Sequence, residues 1–221
     1  MSGIFKEVRI KSLNCEHAHD SCSECVEGSS LRRELKSKTD ESPAAEEELK
    51  IEATLVEDGV LVSSLDGIEG LSSRGYGVSE NGELMLTFYE ALHLLGKEVL
   101  EVKDGKTGEG MSFQDVLKRF QSTDENAWAR YLIYRDLRSR GYVVREGFGL
   151  GIDFRVYKRG EYGEETARYM IFGIQEGQPV ALGKLARAQM YVQSLKKRLV
   201  LAVVNRRGEV VYYSLSQLTL K

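Results

Sequence analysis

No apolar run in this 221-residue chain approaches the length needed to cross a bilayer. The N-terminus also lacks the basic, then apolar, then small-residue succession of a secretory signal. These absences exclude a membrane partner and point to a cytoplasmic protein. Cysteine is scarce, and all three residues (Cys15, Cys22, Cys25) fall within the first 25 positions. Histidine is scarcer still beyond that point, where His93 stands alone.

What is present is ordinary for a globular chain: 42% hydrophobic and 29% charged residues, at a length that fits one large domain or two small ones. The net charge of −3 argues against a generic nucleic-acid binder. Its distribution is more informative. Residues 111–221 carry 19 Lys and Arg against 11 Asp and Glu, whereas residues 51–110 carry 4 against 12. A basic C-terminal half beside an acidic stretch fits either a polyanion surface or a set of solvated helix faces.

Residues 1–50 are polar and poor in large apolar side chains, and read as an N-terminal extension. Within it, Cys15, His17, His19, Cys22 and Cys25 put five metal-competent ligands into eleven residues. Cys-x2-Cys is a common half of a zinc site, but the distant second pair is missing. A flexible tail with incidental thiols is the expectation, and a Zn site the alternative.

From residue 51 the pattern becomes globular. "IEATLVEDGVLVSS" alternates about a Glu-Asp-Gly turn, as a hairpin does. "LTFYEALHLLGK" is a short helix, with Thr87 and Glu90 as a capping box and Gly96 as its stop. "EVLEV" is a strand, and Ser112 caps a helix over "MSFQDVLKRF". A longer helix follows in "TDENAWARYLIYRDLRSRG", with Trp128, Tyr131, Leu132 and Leu137 near one face and Gly141 at its end. Strands "YVVREG", "IDFRVYK" and "RYMIFGI" come next. Then comes a helix that turns Leu185, Ala188, Tyr191, Val192 and Leu195 to a sheet. The continuous apolar run "LVLAVV" reads as a buried strand, with "EVVYYSL" as its hairpin partner. The expected fold class is α/β (α+β): an N-terminal mixed domain over 51–121, then a mixed sheet flanked by helices over 122–221.

At "YLIYRDLRSRGYVVREGFGLGIDFRVYKRG" and "SLKKRLVLAVVNRRGEVVYY" the chain resembles the C-terminal nuclease domain of the archaeal tRNA-splicing endonucleases. The stretch "DGVLVSS…RGYGVSENGELMLTFYEALHLLGKEVLEV" resembles their N-terminal domain. The resemblance covers about 52 to 219. It implies metal-free RNA cleavage in which a ribose 2′-oxygen attacks the adjacent phosphate, leaving a 2′,3′-cyclic phosphate and a 5′-hydroxyl. The chemistry needs a base at the 2′-hydroxyl, an acid at the departing 5′-oxygen and a cation at the phosphorane. In the family these are Tyr, His and Lys.

The family Tyr falls on Tyr157 and the Lys on Lys197. The His position holds Thr166, whose hydroxyl does not release a proton near neutral pH. A base-stacking Arg of the family falls on Met190, expected here to pack against the sheet, with Arg187 one turn away. His93 is expected to be a structural or surface residue. The resemblance therefore implies a structural subunit with a degenerate site, paired with a catalytic tRNA-splicing endonuclease subunit in a two-plus-two heterotetramer. Its substrate would be bulge-helix-bulge precursor tRNA, and cleavage would need no cofactor. The last strand would form the isologous subunit contact. The usually acidic loop before it is here basic, with Arg206 and Arg207 as docking or RNA-binding candidates. A weakly active chain using Tyr157 and Lys197, or a metal-binding adaptor built on the Cys/His cluster, are the alternatives.

Overall fold

The computed structural model describes residues 8–12, 50–158, 160–163 and 166–217. The Cys/His cluster at 15–25 lies outside the described residues. The described residues form a mixed α/β fold with two six-stranded sheets. Among the described residues no helix is long and apolar enough to cross a membrane.

The first sheet is built from β2 (Ile51–Leu55), β3 (Val60–Val62), β4 (Val78–Glu80), β5 (Glu83–Leu86), β6 (Leu100–Asp104) and β7 (Gly110–Met111), in the order β4-β5-β3-β2-β6-β7. β2 and β3 form the expected hairpin, closed by the Val56 amide on the Gly59 carbonyl at 2.9 Å. Helix α1 (Leu65–Ser72) and strands β4 and β5 are additions that the sequence pattern did not announce. Their apolar residues come in runs too short to show a period.

The second sheet has the order β1-β12-β11-β10-β9-β8. Its strands are β1 (Val8–Ser12), β8 (Val143–Gly149), β9 (Ile152–Tyr157), β10 (Tyr169–Gln175), β11 (Arg198–Val204) and β12 (Val210–Gln217). From α4 (Ala127–Ser139) onward the element order is the expected one, with α5 (Leu182–Ser194) crossing between β10 and β11. That crossover makes β10 and β11 parallel, in register from Tyr169↔Arg198 to Gln175↔Val204. The other pairs in this sheet are antiparallel. β11 is central, which is why "LVLAVV" reads as one apolar run.

Helix α2 (Phe88–Leu95) joins the two halves. Seven of its eight residues are buried, including Glu90 and His93. Tyr89 meets Phe154 of β9 edge-on at 5.1 Å and Tyr134 of α4 at 4.9 Å. Glu90 accepts from the Thr87 amide at 2.9 Å, completing the capping box, and pairs with Arg145 of β8 at 3.4 Å. Helix α3 (Phe113–Gln121) starts at Ser112, whose hydroxyl accepts from the Asp115 amide. The core around α2 runs without interruption from Val60 and Leu86 in the first sheet to Phe154 and Ala202 in the second. A smaller cluster lies under α5, built on Ala188, Val192, Met170 and Leu199.

Three expectations about helix faces fail, the first at Leu195, which follows the end of α5 and is 38% exposed although the spacing turns it to the sheet. Trp128 is 41% exposed, although it shares the helical spacing of the buried Tyr131, Leu132 and Leu137. Met190 is 61% exposed and does not pack on the sheet. Trp128 and Met190 both stand at the border of an apolar stripe, where cover depends on what lies across from it.

Candidate active site

The candidate residues sit where three strands begin or end together. β9 ends at Tyr157, and its antiparallel neighbour β10 begins at Tyr169, opposite Val156. β11 begins at Arg198, opposite Tyr169. The segment before β10 is stitched to this rim by the Arg168 amide on Val156 carbonyl at 3.1 Å and the Arg198 amide on Arg168 carbonyl at 3.3 Å. Tyr157, Thr166 and Lys197 therefore lie at one end of the sheet, although 31 residues separate the last two.

Each side chain is held by a local device. Tyr157 is half-buried against the cluster under α5 and meets the Tyr162 ring edge-on at 5.2 Å. Thr166 is exposed, next to buried Ala167. Lys197 follows the end of α5, where the backbone turns left-handed at Lys196 (φ 55°). The Lys196 amide bonds Gln193 carbonyl at 2.9 Å and the Lys197 amide bonds Val192 carbonyl at 3.1 Å. That is a Schellman motif, and it sends the chain out of the helix straight into β11. The Lys197 ammonium donates to the Thr166 hydroxyl.

This arrangement supplies a cation and a phenol at one rim. It supplies no imidazole: the only histidine among the described residues, His93, is buried in α2. Burial, with the charges of Lys97, Arg138 and Arg135 nearby, pushes its imidazole down to about 4. It touches Tyr76 and Tyr134, in the joint between the halves.

Around the rim, Arg168, Lys196 and Arg198 are exposed and Lys158 is half-buried. Among the described residues, none of the four and not Lys197 is in an ion pair. A concentration of cations of this kind attracts a polyanion. Sequence reasoning missed these four as a group, because only the strand register brings their positions together.

The other candidates are elsewhere. Arg187 is exposed part-way along α5. Arg206 and Arg207 are exposed in the loop after β11, at the opposite end of the sheet from Lys197, about 20 Å away by strand rise. That loop is ordered by its own polar groups: the Asn205 side chain donates to Glu209 at 2.7 Å and accepts from the Arg207 amide at 2.9 Å. At the same far end a cleft of about 460 Å³ is lined by Arg130, Asp153 and Lys184, with Phe172 beneath. There Arg130 bonds Asp153 at 3.0 Å, and the Gly173 amide donates to the same carboxylate at 2.7 Å. Among the described residues no group of three His, Cys, Asp or Glu could hold a metal ion.

Two family models match the chain. The tRNA intron endonuclease N-terminal domain matches residues 51–117, and the tRNA intron endonuclease catalytic C-terminal domain matches residues 127–212. The tRNA-splicing endonuclease of Methanococcus maripaludis is 34% identical over 170 residues, which cover 77% of this chain and 96% of the relative. That of Pyrococcus furiosus is 35% identical over 141 residues, covering 64% and 80%. That of Methanococcoides burtonii is 31% identical over 170 residues, covering 76% of this chain and 47% of the relative. The match to both domains and to nearly the full length of the first relative makes this chain a member of the tRNA-splicing endonuclease family.

Proposed function

We propose that this chain is the structural subunit of a heteromeric tRNA-splicing endonuclease. It binds and orients bulge-helix-bulge precursor tRNA, and a partner subunit carrying the histidine performs the cut. The proposed assembly is two plus two, because two cuts at a fixed spacing need two sites held at that spacing. In the partner, a base takes the 2′-hydroxyl proton and the 2′-oxygen bonds to phosphorus. The bond to the 5′-oxygen then breaks, and the imidazole protonates that oxygen. No cofactor enters this step.

The observation that carries the reading is the contact between Lys197 and Thr166. Where the family has its proton donor, this chain has a hydroxyl that accepts from the neighbouring ammonium. Loss of a general acid costs about 10²–10⁴ in rate. The cationic rim supports retained affinity for the RNA backbone.

The experiment is cleavage of a bulge-helix-bulge RNA by the purified chain alone, beside Thr166→His. The wild-type chain is expected to cut no faster than background, and Thr166→His to gain about 100-fold or more. Tyr157 and Lys197 at one rim favour a second reading, in which the chain is weakly catalytic. Robust cutting by the wild-type chain, lost on Lys197→Ala, would establish that reading and refute the first.

A further inference from the structure

The last strand of the second sheet is covered by a segment from the other end of the chain. β1 pairs antiparallel with the outer edge of β12, from Val8↔Gln217 to Ser12↔Tyr213. β1 ends the sheet and pairs with no other described strand. Both stretches matched by the family models, 51–117 and 127–212, leave it out. It therefore occupies the edge through which the resemblance implies the isologous subunit contact.

Three features make β1 a removable cover. Its ladder is five residues long, whereas β12 is eight. Among the described residues no strand pairs with the outer edge of Val210, Val211 or Tyr212. The 38 residues from 13 to 50 that lead to β2 have a contour length of over 100 Å, so chain length alone does not prevent release of β1. β12, by contrast, is held independently of β1. It pairs with β11 from Val210 to Leu215, and its Leu215 carbonyl accepts from the Gln189 side chain of α5 at 3.4 Å. Withdrawal of β1 would leave β12 in place with its backbone donors and acceptors open.

An open edge of that kind is a template for another strand. The strand best matched to it is β12 of a second copy. Two identical edges related by a two-fold axis pair antiparallel, in the sense the edge already accepts from β1, and each contact is made twice. The ladder could extend over eight residues in place of five. Tyr213 and Leu215 already pack against the cluster under α5, so such pairing would continue an apolar layer across the junction.

We propose that β1 is a built-in competitor for self-association: docked, it keeps two copies from joining through β12, and released, it lets them join edge to edge. The two states share one set of hydrogen-bonding groups, so they exclude each other. The proposal does not depend on whether this chain cuts RNA.

The test compares dimer dissociation constants, from sedimentation velocity, of the full chain, a variant lacking residues 1–12, and the full-length Arg9→Pro/Ile10→Pro double variant. Adjacent strand residues face opposite sides, so one of the two prolines must remove a ladder donor. Both variants are expected to dimerise at least about tenfold more tightly than the full chain. A synthetic peptide spanning residues 6–14 should reverse this. Hydrogen exchange should show amides of 210–217 protected in the dimer. Equal constants for the three proteins would overturn the proposal. So would variants that remain monomeric with exposed 213–217 amides, or a dimer in which those amides exchange freely.

Discussion

His93 shows how one buried side chain sets an acid limit on the fold. Its imidazole is neutral inside α2, and its Nε2 has no hydrogen-bond partner among the described residues. Folded, it titrates at about 4, against 6.5 for an open chain. Between these values the unfolded state binds the extra proton, so stability is complete above pH 6.5 and falls as pH drops toward 4. The shift corresponds to about 3 kcal/mol. Glu90 works in the other direction: burial raises its carboxyl, so its contribution favours lower pH. The two are separated by comparing wild type with His93→Phe in urea titrations at each pH. The wild-type-minus-variant difference is expected to move by about 3 kcal/mol from pH 7 to pH 4, with wild type losing at acid pH. A constant difference would mean that His93 titrates in the fold as it does in the open chain. The sequence allowed His93 to be structural or superficial. Its burial follows from Tyr76, Tyr134 and Arg138 arriving from other elements, which a helical period does not encode.

At the scale of elements, α4 and α5 end in the same motif, and only the copy at α4 is visible in the sequence. Helix α4 ends with the Gly141 amide on Arg138 carbonyl and the Tyr142 amide on Leu137 carbonyl. Helix α5 ends with the same pair of bonds, made by Lys196 and Lys197. Gly141 adopts φ 83° freely and announces the stop, as glycine does after a helix. Lys196 adopts φ 55° against the steric preference of an L residue, so "SLKKR" carries no stop signal. The parallel register of β10 and β11, which sets the candidate rim, was hidden for the same reason. Tyr157 and Lys197 were legible as family positions, but the cations that surround them were not. The motif predicts opposite effects at equivalent sites. Lys196→Gly should stabilise the chain by about 1 kcal/mol by relieving the left-handed turn, and Gly141→Ala should cost about the same. Urea midpoints with unchanged slopes would show it. Destabilisation by Lys196→Gly would mean that its side chain contributes more than the backbone turn costs.

For the whole molecule, the sequence reads as two unequal globular halves, and the matched stretches divide at 117 and 127. The packing does not divide there. α2 belongs to the first matched stretch, yet Tyr89 rests on Phe154 and Tyr134 of the second, and Glu90 meets Arg145. "LTFYEALHLL" is apolar nearly all round, as a helix covered on every side must be. What covered it could not be read, because the partners lie 45 to 65 residues downstream. With one continuous core, the halves should unfold together, with equal calorimetric and van't Hoff enthalpies. Tyr89→Ala removes an aromatic ring from the joint and should cost about 3–5 kcal/mol. At this chain length that lowers Tm by about 10 °C. Because the joint is shared, the loss should appear as one transition moved down intact, seen equally by Trp128 fluorescence from the second half and by far-ultraviolet circular dichroism from both. Splitting into two transitions, with only one displaced, would mean that each sheet is stable by itself and that α2 is a contact surface between them.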